Sequence, residues 1–478
     1  MEELANLSAT ELRSLIDRKS VSPVEVVTSA LRRLERVEPI LNAFALVTPE
    51  LALAAARAAE SDVMAGRPRG LLHGLPISVK DLITVAGVRC AFGSRTMAGN
   101  VATSDAPSVE RLRRHGACII GKTTTSEFGC KPVGDSPLTG ITRNAWDPSK
   151  TPGGSSCGAA SSTAAGVTPF ALGTDGGGST RIPSSLTGLF GLKPQFGRIP
   201  IYPVSATPTL AHIGPMARTV RDVALLLTAL AGHDFRDPFS IAGPTPDFIG
   251  ACDLPPAGLR VAWSPTLGYA APSPEVLRIV TGAVQVFQDL GCTVEPVERV
   301  FETDPIDLWM AEFYAGVGTR LGRAFRESPE LLDPVLRELL SRSMAESLTS
   351  YYEKVFERFE LRERVRLLFE TYDLLLTPSL PVAAFDIGRN IPPNAEGRTV
   401  VSWPSYTYPF NLTGQPAASI PAGWTSEGLP VGLQIVSRIN HEVDIFRAAA
   451  AFEVARPWSH RRPTIWGPTE RKVHEAKT

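Results

Sequence analysis

The chain reads as an α/β protein, and three observations carry that reading. Residues 105–116 form a helical pattern stopped by Gly116, and an apolar strand pattern follows at once over 117–120. A strand, helix, strand succession recurs at 259–262, 273–290 and 292–297. Short apolar runs at 77–79 and 432–436 are spaced by helical stretches. This rhythm belongs to a sheet layered with helices.

The composition fits that class and removes several functions. Of 478 residues, 43% are hydrophobic and 20% charged, an ordinary globular balance. A formal net charge of −1 offers no basic stripe for nucleic acid and no acidic tail. The first residues, Met1-Glu-Glu-Leu-Ala, have neither the basic nor the apolar part of a signal peptide, and no apolar run is long enough to span a membrane. A cytoplasmic protein is expected. The six cysteines form no C-x-x-C pair and read as reduced thiols, and the seven histidines include no H-E-x-x-H. No metal site or cofactor is proposed.

Taken in order, the chain opens with two capping boxes, Ser8-Ala-Thr-Glu11 and Ser22-Pro-Val-Glu25, the second with Pro23 at the first helical position. A third helix is expected over 49–64. The run 77–79 reads as a short buried strand with Lys80 and Asp81 at its end; on residue type alone that lysine belongs at the surface. Residues 121–142, with Glu127, Phe128 and Cys130, read as a pocket wall. Two glycine-serine knots follow, 153–158 and 173–179, around a run of small residues at 159–165 with the composition of a tightly packed helix. Their glycines permit close backbone approach, and their serines suggest a nucleophile beside an oxyanion hole. Residues 214–222 lead into a helix, and 304–370 are mostly helical. There Trp309, Phe313 and Tyr314 sit at helical spacing, a stripe that belongs to a core or a pocket wall. A strand at 372–378, a Pro- and Tyr-rich stretch at 403–421, a strand at 432–436 and a helix at 441–456 complete the core. The tail after Trp458 reads as peripheral.

The motifs H-G-L-P-I-S-V-K-D at 73–81, T-P-G-G-S-S-C-G at 151–158 and G-T-D-G-G-G-S-T-R at 173–181 together resemble the amidase signature family. The stretches at 105–123, 214–222, 414–423 and 428–434 extend the likeness over roughly 70–440. The intervals agree as well: 75 residues separate Lys80 from Ser155, and 24 separate Ser155 from Ser179. A phosphate-loop reading of the glycines fails, because neither knot fits G-x-x-x-x-G-K-[ST].

The resemblance implies an amidase-signature fold: a large mixed, mostly parallel central sheet covered by helices on both faces. With no internal repeat and no strong linker, a single domain over 1–478 is expected, with N-terminal helices at 1–66, a signature core at 70–232, a helix-rich elaboration at 265–370 and the C-terminal part of the core at 372–456. The resemblance also implies a Ser–cis-Ser–Lys triad. Ser179 is then the nucleophile, Ser155 follows a cis bond from Gly154 and relays the proton, and Lys80 is the base. The backbone N–H groups of Gly176, Gly177, Gly178 and Ser179 form the oxyanion hole, Asp175 and Arg181 brace that loop, and Ser156 adds a hydroxyl. A lysine in that role must be neutral, hence buried among hydroxyls, with Asp81 turned away.

Two positions depart from the family pattern. Cys157 replaces a glycine and reads as a small buried hydrophobe; Gly176 stands where a larger residue such as threonine is common. The expected pocket residues are Glu127, Phe128, Cys130, Trp309, Tyr314 and Trp403. These segments are more aromatic than ionic and favour a small neutral or aryl acyl group over a dicarboxylate half-amide. The expected activity is hydrolysis of an amide, anilide or acyl hydrazide. The expected partner is a small-molecule substrate, with neither nucleic acid nor membrane, and a homodimer stays open. Alternatives are the glutaminase subunit of a tRNA-dependent amidotransferase and an inactive binding relative.

Overall fold

In the computed structural model, which describes residues 2–67, 70–395 and 397–466, both serine capping boxes close. Ser8 caps the Ala9–Asp17 helix and Ser22 caps Pro23–Leu41, each hydroxyl accepting from the N–H of the glutamate three residues on. The third helix, Pro49–Met64, follows.

The strands are β1 (Phe44–Val47), β2 (Pro76–Lys80), β3 (Cys118–Thr123), β4 (Asp135–Ser136), β5 (Gly140–Ile141), β6 (Phe170–Asp175), β7 (Phe190–Lys193), β8 (His212–Ala217), β9 (Arg260–Trp263), β10 (Thr293–Pro296), β11 (Leu374–Pro378), β12 (Ala417–Trp424) and β13 (Pro430–Ser437). Apart from the β4–β5 ribbon they form one 11-stranded mixed sheet, ordered β1-β3-β2-β6-β8-β7-β12-β13-β11-β9-β10. Parallel pairing runs through β3-β2-β6 and through β11-β9-β10. Each run contains one of the units read from the sequence: the Pro107–Arg114 helix carries the chain from β2 to β3, and Pro274–Asp289 carries it from β9 to β10. Between the runs, from β6 to β11, neighbours pair antiparallel.

Alternation along the strands covers both faces. Phe170 and Leu172 join a core with Ile77, Val79, Leu226 and Phe446 on one side. Ala171, between them, joins Ala159, Ala160 and Val27 on the other. The register Ile77↔Phe170 and Val79↔Leu172 brings the carboxyl ends of two parallel strands side by side, so Lys80 and Thr174 leave the sheet together. In open α/β sheets that edge is where ligands bind.

One stretch was passed over and one reading is corrected. Residues 214–222 do lead into a helix, Val220–Leu230, but 212–217 first form a central strand that the turn punctuation of Gly214 and Pro215 disguises. The tail, expected to be peripheral, is docked as far as it is described: the Trp466 indole N–H donates to Ala164 O at 2.8 Å, and the ring is 9% exposed. Residues 467–478 lie outside the described part.

Candidate active site

Lys80 ends β2 with its side chain wholly buried. Its Nζ donates to Ser155 Oγ at 2.7 Å, Ser156 Oγ at 3.0 Å and Thr174 Oγ1 at 2.8 Å. Among the described residues no carboxylate lies within ion-pair distance of it. Burial pulls its pKa from the usual lysine range to about 7, with Cys157, Asp175 and Cys130 acting in the other direction. Asp81 does point away: its carboxylate pairs with Lys122 at 3.1 Å and accepts from the Ala91 N–H at 3.0 Å.

The first knot reaches this lysine through a cis peptide bond between Gly154 and Ser155. The small-residue run is the Cys157–Ala164 helix, and every residue in it is buried. Its first residue, Cys157, is a buried thiol whose pKa burial pushes up. Ser156 ties the two knots together. Its N–H donates to Ser179 O at 3.2 Å, and its hydroxyl donates to Thr174 O at 3.1 Å.

The second knot hangs on Asp175. This carboxylate accepts from Gly178 N–H at 2.7 Å, Thr180 N–H at 3.2 Å, Arg181 Nε at 3.0 Å and Arg181 Nη2 at 2.9 Å. Burial pushes its pKa up, but Arg181 outweighs that and holds it well below the usual carboxylate range. Arg181 in turn reaches Thr407 O, Gln434 Oε1 and Asn411 Oδ1, tying the loop to β13 and to the Pro409–Thr413 helix with the turn before it. Carbonyls in the loop are taken too: Gly176 O accepts from Trp309 Nε1 at 2.8 Å and Gly177 O from Thr407 Oγ1 at 2.7 Å.

One expected oxyanion donor is thereby corrected. The Gly178 N–H is spent on Asp175, while those of Gly176, Gly177 and Ser179 donate to no group among the described residues. Gly178 has another task. It adopts φ +128°, and a Cβ there would stand 2.3 Å from Thr407 Oγ1.

Ser179 is half-buried and opens onto two spaces. One is a cavity of about 410 Å³ walled by Leu82, Met97, Phe128, Val204 and Phe313, with Ser155 and Thr174 in its lining. The other is a cleft of about 20 Å³ lined by Cys130, Trp309 and Tyr408. Of the expected pocket residues, Phe128, Cys130 and Trp309 therefore face these spaces. Glu127, Tyr314 and Trp403 do not. The Glu127 carboxylate is buried on Ser94 Oγ and Asp333 N–H, both at 2.6 Å. The Tyr314 hydroxyl donates to Cys130 O at 2.6 Å, holding the cleft wall from behind. Trp403 packs edge-on against Phe385 in a hydrophobic cluster.

Sequence reasoning did not assign Thr174, although it sits directly before Asp175 in the second glycine-serine knot. It also passed over the 201–207 segment, which lines the larger cavity; a short run of Pro, Val, Ser and Thr has no pattern that distinguishes a wall from a loop.

Known proteins with similar chains place this geometry. Residues 25–446 match the model of the Amidase family. An acylamidase of Rhodococcus erythropolis is 36% identical over 465 residues, covering 96% of this chain and 97% of the relative. The A subunit of the glutamyl-tRNA(Gln) amidotransferase of Chloroflexus aurantiacus is 35% identical, covering 97% and 100%. Among solved structures, a bacterial aryl acylamidase of the amidase signature enzymes superposes with a TM-score of 0.91 at 29% identity, covering 97% of this chain and 99% of that one. A 6-aminohexanoate cyclic dimer hydrolase bound to its substrate gives 0.89 at 28%, with the same coverage.

Proposed function

The chain belongs to the amidase family, and from that premise we propose that it cleaves the acyl–nitrogen bond of an apolar or aryl amide through an acyl-Ser179 intermediate. One observation carries the reading: Lys80 is buried, has no carboxylate partner among the described residues, and lies 2.7 Å from Ser155 Oγ. A lysine so placed serves as a base at neutral pH, because burial has already disfavoured its charged form.

In this mechanism Ser179 Oγ adds to the amide carbon while its proton passes to Ser155 Oγ, whose own proton goes to Lys80 Nζ. The N–H groups of Gly176, Gly177 and Ser179 receive the developing oxyanion, and each such donor is worth about 10²–10³ in turnover. Collapse breaks the carbon–nitrogen bond, and the departing nitrogen takes back the proton. Water then adds to the ester along the same relay, releasing carboxylate and restoring Ser179. Primary amides, anilides and acyl hydrazides all undergo this step, the last releasing hydrazine or a hydrazide.

Product release from a panel of those three classes tests the reading, with Ser179→Ala and Lys80→Ala as controls. Turnover by the wild type that is lost in both variants is expected; undiminished turnover by Lys80→Ala overturns the mechanism. A second reading, as the glutaminase component of an amidotransferase, draws on the full-length similarity to the Chloroflexus chain. Ammonia release from glutamine, stimulated by a partner protein, would favour it.

A further inference from the structure

Glycine loop and hydroxyl relay account for the reacting end of the larger cavity but not for its mouth. One wall is the Ile306–Glu327 helix, which runs outward from the nucleophile loop. Trp309 bonds the loop, Phe313 lies over Gly176, Val317 follows one turn on, and Arg320 and Leu321 follow after that. Arg320 stands seven residues beyond Phe313, so the helical rise sets its backbone roughly 10 Å farther out.

Charges elsewhere in the wall are neutralised. Asp175 is paired with Arg181, and burial beside Lys193 pushes the pKa of His212 well down, leaving it neutral. On the same helix Glu312 pairs with Arg358, and Arg323 with Glu327. Arg320 forms no ion pair or hydrogen bond among the described residues, and it is exposed at the cavity. A chamber whose other charges are neutralised thus ends in one unpaired guanidinium, a group suited to bidentate carboxylate binding.

We propose that Arg320 is a distal recognition point, taking a carboxylate carried at the far end of an apolar substrate, so that the preference read from the sequence for neutral acyl groups over dicarboxylate half-amides holds only for short acyl chains. The proposal deepens the amide-hydrolase reading, on which the identity of the substrate rests. It also restricts by length. A carboxylate close to the scissile bond would be stranded among Leu82, Phe128 and Phe313, where an unpaired charge is costly. A chain or ring long enough to span the cavity brings it to Arg320.

Calorimetric titration of Ser179→Ala protein with three anilides tests this without turnover. The ligands are hexananilide, the mono-anilide of adipic acid, and the shorter mono-anilide of succinic acid. The adipic compound is expected to bind about tenfold or more tighter than hexananilide, as charge-assisted hydrogen bonds allow, and the succinic compound to gain nothing. Adding Arg320→Gln should collapse the adipic advantage to under about twofold, whereas Arg320→Lys should keep part of it as a point charge. An adipic compound bound no tighter than hexananilide, or an advantage that survives Arg320→Gln, overturns the proposal. Aniline release by the Ser179-bearing protein is read separately: an Arg320-dependent preference without any release refutes the hydrolase reading and leaves the subsite standing.

Discussion

Lys80 faces three hydroxyls, so its charge state sets the working pH. Only the free amine accepts a proton, and its pKa is drawn down to about 7. kcat/KM is therefore expected to rise with pH through an acid limb near 7, measured on any turned-over anilide. The same depression acts on stability. Above about 7 the folded state has released this proton while the unfolded chain holds it up to the ordinary lysine value of about 10.4, so this group's contribution to stability rises with pH across that window and is lost as pH falls back through 7. Thr174→Val gives a second test. Its hydroxyl accepts from Nζ and so favours the ammonium; removing it should move the acid limb to lower pH and lower kcat by loosening Lys80. An unmoved limb with unchanged kcat would show that Thr174 only fills space.

At the scale of elements, the departure at Gly176 has a packing reason. A Cβ there would stand 3.0 Å from Phe313 Cε2, so the Ile306–Glu327 helix occupies the space a larger residue would need. Gly176→Thr alone should displace loop or ring and lower kcat/KM by about 10²-fold, the scale of a misplaced reacting group. Gly176→Thr with Phe313→Ala should recover part of that loss; additive losses would mean the two positions are uncoupled. This contact marks a boundary of what the sequence disclosed. The two knots were legible because each lies within a few residues of its own turn, whereas Lys80 by itself read as a surface residue and took its role only from the resemblance carried by the three motifs and their intervals. Glu127 was misread as a pocket wall because its partner Asp333 is 206 residues away, and no local pattern announces a buried carboxylate satisfied across that distance. Tyr314 failed because periodicity finds the helix but does not say which turn meets the cavity, and Trp403 because the Pro- and Tyr-rich stretch it opens has no period to place its side chain. The spending of the Gly178 N–H on Asp175 is a matter of loop geometry that residue types do not reveal.

Across the whole molecule, the two βαβ units foretold the parallel runs, while the antiparallel centre depends on strands that Gly214 and Pro215 disguise. The chain end also reaches back to the core helix. Trp466 covers Gly166, where a Cβ would stand 2.5 Å from its ring, and bonds Ala164 at the end of the Cys157–Ala164 helix. Trp466→Ala should cost about 3 kcal/mol in chemical denaturation, the low end for emptying a tryptophan site. A loss below the error of that measurement would return the tail to the periphery.

The unequal spaces on either side of Ser179 have a kinetic consequence. About 20 Å³ holds little more than one water, against about 410 Å³ on the other side. The fragment lying over the cleft therefore fills little enclosed volume and projects past it, so after cleavage it keeps few contacts. The fragment in the cavity keeps the contacts it had as part of the substrate. Competitive inhibition should thus come mainly from the cavity-side product, and progress curves run to completion should bend by an amount that adding that product reproduces and adding the other does not.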